Sequence, residues 1–103
     1  MNDKAIYEWL RPALTGTEWE IVTCRVAFYK YTKEDKTLWG CLLEPLPPLD
    51  MNTAFSEAIP KLKAEGIDSF FSSWAGWTLE TDTDSWANPD FYIAVSEYLE
   101  AKA

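Results

Sequence analysis

The chain has 103 residues, a length typical of one domain, and 48% of them are apolar and 16% aromatic. This composition is that of a folded globule and argues against an intrinsically disordered chain. Nine Lys and Arg residues against seventeen Asp and Glu residues give a net charge of −8. Such a charge opposes binding to nucleic-acid phosphates or to anionic lipid.

The sequence contains no His, which is the commonest general base and the commonest transition-metal ligand. No apolar run approaches the roughly 18 residues of a membrane span. The opening MNDKAIYEWL has no basic region or cleavage site of a secretory signal. We therefore predict a single cytoplasmic domain that comprises residues 1–103.

In the first half of the chain, residues 18–31 and 37–44 are rich in β-forming residues and predict a long strand and its returning partner. Pairing Lys33 with Lys36 makes both faces of this hairpin apolar near its middle, which favours helices on both sides of the sheet. The same register separates Cys24 from Cys41 by four positions, about 13 Å along the ladder. We therefore predict two free thiols on small core residues.

Apolar residues at helical spacing predict three helices, at about residues 3–11, 51–65 and 89–101. Pro60 interrupts the second helix, so we expect a kink near Ser56. Gly66 ends that helix, and Asn88 caps the third. Residues 67–81 form either a tight hairpin or one bulged strand. The predicted fold class is α+β, a three-layer α/β/α sandwich with a small, mostly antiparallel sheet covered by helices.

No catalytic or metal-binding motif is present. Without His, a Ser or Cys nucleophile would need Lys as its base, and neither S-x-x-K nor G-x-S-x-G occurs. The alternating acids of residues 80–84 are suited to a hard cation, but the segment lacks the Gly and Glu of an EF-hand loop. We predict that the protein is not an enzyme and binds no cofactor or metal.

Trp74, Trp77 and Trp86 are close in sequence to this acidic segment. They either complete the core around the last helix or form an exposed patch rimmed by acids, including Asp90. Exposed tryptophans with carboxylates suit a basic protein partner, because the acids steer association and the rings anchor it. The candidate contacts are two tryptophan anchors and three acidic side chains: Trp77, Trp86, Glu80, Asp82 and Asp84.

Three stretches of the second half, LPPLDMNTAFSEAIPKLKAEG, FFSSWAGWTLE and ANPDFYIAVSEYLEAKA, follow one another in a distinctive order. About residues 45–103 resemble the phage-type ABA-sandwich family of small (pro)phage proteins. In that family a Pro-rich lead enters an amphipathic helix, an aromatic strand pair follows, and a D/N-P-x-x-A-I-x-x-A helix ends the domain. Asn88, Pro89, Ile93 and Ala94 stand where this closing pattern would lie. The resemblance implies an α/β/α sandwich and a phage setting, and it implies no chemistry.

The leading hypothesis is a small, acidic, non-enzymatic cytoplasmic protein of phage or mobile-element origin. It binds a host or cognate protein, as inhibitors and immunity proteins do, and does not bind nucleic acid or membranes directly. One alternative is a small-ligand-binding or regulatory domain with a pocket between the sheet and the helix bent at Pro60. Another is a DNA mimic, which needs acids spaced like phosphates over one long face. The sequence leaves the oligomeric state open.

Overall fold

The computed structural model describes residues 3–21, 25–42 and 44–102, which form an α+β fold. Its strands make two three-stranded antiparallel sheets, where the sequence predicted one sheet. The chain divides into two compact units. We call Met1–Ile6 with Leu49–Ala103 the acidic unit and Tyr7–Pro48 the hairpin unit. The boundary between Pro48 and Leu49 falls in a Pro-rich stretch, and the single-domain organisation stays a prediction.

The hairpin unit contains the sheet β1-β2-β3, formed by Glu18–Ile21, Ala27–Lys33 and Lys36–Cys41. The predicted register of β2 and β3 is confirmed, since Lys33 lies opposite Lys36. The prediction of one long strand over residues 18–31 is wrong, because β1 and β2 are separate strands that pair with each other. Between them Arg25 has a φ of 59°, a left-handed conformation that a continuous strand does not accommodate.

Helix α1 (Asp3–Leu10) and the 3₁₀ turn Pro12–Leu14 precede this sheet. Within the hairpin unit, the Tyr7 ring meets the Trp19 ring edge-on with 6.5 Å between centroids. The indole N–H of Trp19 also donates to the Glu8 carboxylate at 2.8 Å. Trp19 is therefore buried, whereas Phe28 and Trp39, which project from the opposite face, are exposed.

Cys41 is a free and exposed cysteine, so its predicted burial is wrong. The reason is that β3 is an edge strand whose Cys41 side chain shares the open face with Phe28 and Trp39. Cys24 lies outside the described residues, and its free thiol stays a prediction.

In the acidic unit, a helical segment of three parts precedes the sheet: α2 (Met51–Thr53), a π-helical turn (Ala54–Ala58) and α3 (Ile59–Ala64). The Asp50 carboxylate caps it by accepting from the Thr53 amide at 2.9 Å. The helix is irregular where a kink was expected, and the irregularity is the π-helical turn. There the Ile59 amide donates to the Ala54 carbonyl, five residues back, directly before Pro60, which has no amide to donate.

Gly66, with a φ of 83°, ends this segment as predicted. A sheet β4-β5-β6 follows, formed by Asp68–Ser72, Gly76–Glu80 and Ser85–Asn88. Residues 67–81 are thus a tight hairpin, and β6 was not foreseen. Helix α4 (Phe91–Lys102) closes the unit.

The predicted cap of α4 is wrong. In its first turn, the amides of Tyr92 and Ile93 donate to the Asp90 carboxylate at 2.9 and 3.2 Å, so Asp90 is the cap. Asn88 ends β6 instead, because its amide oxygen accepts from the Asp90 amide at 2.9 Å and its backbone pairs with Trp77.

Gly76 and Gly66 offer a matched test of the packing, since both have positive φ. A Cβ at Gly76 would lie 2.6 Å from the Pro89 Cα, whereas one at Gly66 would meet nothing within 4 Å. We expect Gly66→Ala to lower the free energy of unfolding by about 1 kcal/mol and Gly76→Ala by about 3 kcal/mol. Urea denaturation measures both values. Equal losses would contradict the close approach of β5 to Pro89.

Candidate protein-binding surface

The sheet β4-β5-β6 has one face that its own helix covers. Phe71 lies opposite Trp77, and Leu79 lies opposite Trp86, so these four side chains project from the same face. Helix α4 packs on this face, where Leu79 is fully buried. Ring centroids are 5.1 Å apart for Trp77 and Phe91 and 5.2 Å apart for Trp86 and Tyr98.

The opposite face of this sheet is largely open. Phe70 and Thr78 lie opposite each other on it. Thr78, on the central strand, is buried, but Phe70 is 45% exposed. Their same-face neighbours Glu80 and Ala87 are exposed as well.

Trp77 is the centre of a ring cluster that extends from the core to the surface. Its centroid lies 6.1 Å from that of Phe55, 5.6 Å from that of Phe71 and 5.1 Å from that of Phe91. Phe91 is buried, whereas Phe55 and Phe71 are 62% and 61% exposed. Trp74, in the turn between β4 and β5, is 91% exposed. We call Phe55, Phe71, Trp74 and Trp77 the aromatic patch.

Trp86 lies in a different environment, next to a polar network. With Asp84, Tyr98 and Lys102 it lines a surface cavity of about 370 Å³. One carboxylate oxygen of Glu65 accepts from the Tyr98 hydroxyl at 2.6 Å and from the Lys102 ammonium at 2.8 Å. Burial raises the pKa of Tyr98, and the hydrogen bond to Glu65 adds to this effect. The hydrogen bond to Glu65 also raises the pKa of Lys102.

The acidic loop, residues 80–84, is ordered by its own hydrogen bonds. The Thr81 hydroxyl accepts from the amides of Thr83 at 3.3 Å and Asp84 at 2.9 Å. The Thr81 amide donates to the Asp84 carbonyl at 2.8 Å. Glu80, Asp82 and Asp84 are therefore held at the surface as exposed residues on a defined backbone.

The structure distributes the predicted contact residues over two places. Trp77 belongs to the aromatic patch, three residues before Glu80, about 10 Å along β5. Trp86 stands beside Asp84 on the cavity of the polar network. Both tryptophans are half-buried and pack on α4, as expected if they complete the core around the last helix. Trp74 is the tryptophan of this group that solvent reaches freely.

Sequence reasoning did not identify Phe55 and Phe71 as surface residues. Phe55 belongs to the apolar stripe that predicted a buried helix face, but the π-helical turn contains this position and leaves the ring exposed. The sequence signal was Pro60, which marked an irregular helix. For Phe71, the signal was its position opposite Trp77 in the hairpin. The sequence did not reveal this pairing, because residues 67–81 could equally form one bulged strand.

A smaller cavity of about 250 Å³ lies beside the helical segment of the acidic unit, bordered by Asp50, Met51, Trp77 and Tyr92. It lies at the first turn of that segment, between Met51 of the helix and Trp77 of the sheet, and the ligand-binding alternative expects a pocket between these two elements. Small-molecule sites commonly occupy about 300–1,000 Å³. Among the described residues, no group of three Cys, Asp or Glu side chains is arranged to hold a metal ion.

The Glu65 network predicts a defined loss of stability in Tyr98→Phe. Removing a hydrogen bond to a carboxylate should lower the free energy of unfolding by about 1.5 kcal/mol at neutral pH. Both raised pKa values mean that the unfolded chain releases these protons first as pH rises. Wild-type stability therefore falls as pH rises above about 10, and the fall is shallower in Tyr98→Phe.

Denaturation series at several pH values measure this effect. Tyr31→Phe, which removes an exposed hydroxyl from β2, is the control and should change stability by less than about 0.5 kcal/mol. A Tyr98→Phe curve parallel to that of the wild type above pH 10 would contradict the network.

Within residues 3–21, 25–42 and 44–102, no helix is long and apolar enough to cross a membrane. Comparison of the chain with models of known families, with curated proteins and with solved structures finds no match.

Proposed function

We propose that the protein is a non-enzymatic, acidic binding protein of the cytoplasm that docks on a basic host or cognate protein. Inhibitors and immunity proteins act in this way, by covering a surface and without chemistry of their own. A phage or mobile-element origin is part of the proposal and rests on the resemblance of residues 45–103 alone.

One observation carries the proposal: the acidic unit combines most of the net charge with exposed aromatic area. It contains eleven Asp and Glu residues and four Lys and Arg residues, so it accounts for nearly all of the charge of −8. The aromatic patch belongs to the same unit. Large exposed rings are enriched at the energetic centres of protein interfaces, and a surrounding negative potential accelerates association with a basic partner.

The acidic and the aromatic contact residues have different roles in the proposal. Glu80, Asp82 and Asp84 steer the partner, because exposed charges act mainly on the association rate. Trp77 and Trp86 are anchors whose positions are fixed by Phe91 and Tyr98 before binding. Rings that are already immobile lose little conformational entropy on association.

The resemblance also implies a third layer over the sheet β4-β5-β6. The open face of β4-β5-β6, which carries Phe70, is the place where such a layer would lie. With such a layer in place, the acidic unit would be the predicted three-layer α/β/α sandwich.

The acidic loop is tested with a partner captured from nuclease-treated host lysate at low and moderate salt. We expect the pair Asp82→Asn and Asp84→Asn to lower the association rate about threefold to tenfold at low salt and to weaken its salt dependence. The control pair is Glu20→Gln and Glu34→Gln, which removes the same charge from exposed positions of the hairpin unit. Stopped-flow or surface-resonance kinetics measure the rates.

Equal association rates for the two pairs would remove the acidic loop from the proposal. An empty capture at both salts would favour the ligand-binding alternative, which thermal shifts against a metabolite library then test. Capture of a DNA-binding protein that DNA displaces would favour the DNA mimic.

The aromatic patch is tested by two neighbouring rings on opposite faces of β4. We expect Phe71→Ala to weaken partner binding at least about tenfold, or about 1.4 kcal/mol, mostly through faster dissociation. Phe70→Ala removes an exposed ring of the same size from the open face and should leave affinity within about twofold. If Phe70→Ala has the larger effect, the partner binds the open face of the sheet and not the aromatic patch around Trp77.

A further inference from the structure

Strand β3 is an edge strand that the chain leaves open. It borders the sheet β1-β2-β3, and Gly40 is the one residue of Lys36–Cys41 that is not exposed. Trp39, near its middle, is 56% exposed, and Leu38 on the other face is exposed as well. The strand is therefore accessible along its length and on both faces.

The backbone of β3 presents unused hydrogen-bonding groups at this edge. The Leu42 amide donates to the Ala27 carbonyl at 3.0 Å, which identifies their position as a hydrogen-bonded pair. Bonded and non-bonded pairs alternate in an antiparallel ladder. The amides and carbonyls of Thr37, Trp39 and Cys41 therefore point away from β2, towards the free edge.

Natural sheets block such edges with Pro, bulges or inward-pointing charges. β3 contains no Pro, its register with β2 is regular over six pairs, and its one charged residue, Lys36, is at its end. The other edge, β1, is only four residues long and carries exposed Glu18 and Glu20. Of the two edges of this sheet, β3 is the one built to accept another strand.

We propose that β3 pairs with β3 of a second copy of this chain, antiparallel and about a twofold axis at Trp39. Trp39 then lies opposite the second copy's Trp39, and Thr37 lies opposite its Cys41. All three outward-facing residues of each strand are bonded, with up to about six hydrogen bonds across the interface. The two sheets become one of six strands, with the exposed Phe28 and Trp39 of both copies on a common face.

A second copy fits this edge better than the basic partner does. β3 carries no acidic residue that would attract a basic strand. The hairpin unit has five Lys and Arg residues and six Asp and Glu residues, so a second copy meets little repulsion there. The positions that pair are also self-complementary, since the three residues with free backbone groups are symmetric about Trp39. The proposal uses a different surface from the aromatic patch and does not depend on the proposed function.

Cysteine cross-linking tests the register. In a Cys24→Ser background, Thr37→Cys places a thiol directly opposite the second copy's Cys41, where the Cα atoms of a bonded pair are about 5.5 Å apart. Within one chain, positions 37 and 41 are about 13 Å apart and cannot join. Mild oxidation should therefore give a covalent dimer on a non-reducing gel, and intact mass should be twice that of the chain.

Two controls accompany this variant. The Cys24→Ser background alone should stay monomeric on the gel, because the paired register separates the two Cys41 residues by about 13 Å. Lys36→Cys in the same background projects from the face opposite to that of Cys41, and the paired register separates the two introduced cysteines by about 20 Å, so it should not cross-link. A covalent dimer of Lys36→Cys would overturn the register centred on Trp39.

Solution mass tests the interface without added cysteines. Sedimentation equilibrium of the wild type should show a concentration-dependent dimer of the 11.8 kDa chain. Trp39→Lys places like charges opposite each other across the axis and should raise the dimer Kd at least about a hundredfold. Thr32→Lys, on the same face of the adjacent strand β2, should change it less than fivefold, and circular dichroism confirms that both variants fold. A wild type that stays monomeric at every concentration would overturn the proposal.

Discussion

The packing of α4 against one face of β4-β5-β6 is the interaction on which the acidic unit depends. It buries Leu79 completely from the sheet side and Val95 from the helix side. Two aromatic contacts, Trp77 with Phe91 and Trp86 with Tyr98, lie next to Leu79, one along β5 and one across on β6. Each tryptophan therefore has one side against the core and one side towards the surface.

This double position explains why the sequence left the exposure of the tryptophans open. A large amphipathic ring satisfies the same sequence pattern whether it is buried or half-buried. The exposure of each ring is decided by its packing partner, and in both cases that partner is on α4, more than ten residues away along the chain. The exposed Trp74 differs because it occupies a turn of three residues, where no neighbouring element covers it.

Two predictions that rested on local constraints were confirmed, whereas a third, the Asn88 cap of α4, was wrong. The register of β2 and β3 followed from the polar hairpin tip between Lys33 and Lys36, and the end of the helical segment followed from the positive φ that Gly66 tolerates. Predictions that required tertiary information were wrong or incomplete. The sequence gives no sign that the chain reverses between β1 and β2, because the β-forming residues run on through residues 18–31. Strand β6 has only four residues, of which Trp86 alone is a strong β-former, so its pairing with β5 is set by the sheet and not by its own propensity.

The net charge of the chain is divided unevenly between the two units. The acidic unit holds the excess of carboxylates and the aromatic patch, and the hairpin unit is nearly neutral with an open strand edge. The two surfaces have different chemistry, and the occupants proposed for them differ accordingly: a basic protein for the acidic unit and a second copy of the chain for β3. If both proposals hold, a dimer presents two acidic surfaces, and a partner with repeated basic sites would be bound with avidity greater than the affinity of one site.

The π-helical turn of residues 54–58 determines the direction in which Phe55 of the aromatic patch points. A π-helical turn holds about one residue more than the α-helical turn it replaces, so it behaves as a single-residue insertion in the helix. Each residue of an α-helix advances by about 100° around the axis. Loss of one codon within this stretch would therefore rotate Phe55 by about that angle relative to the buried Leu62, without any change in the ring itself. The outward position of the ring therefore depends on the number of residues in this turn. A sequence alignment that permits no gap here would not detect the gain or loss of that position.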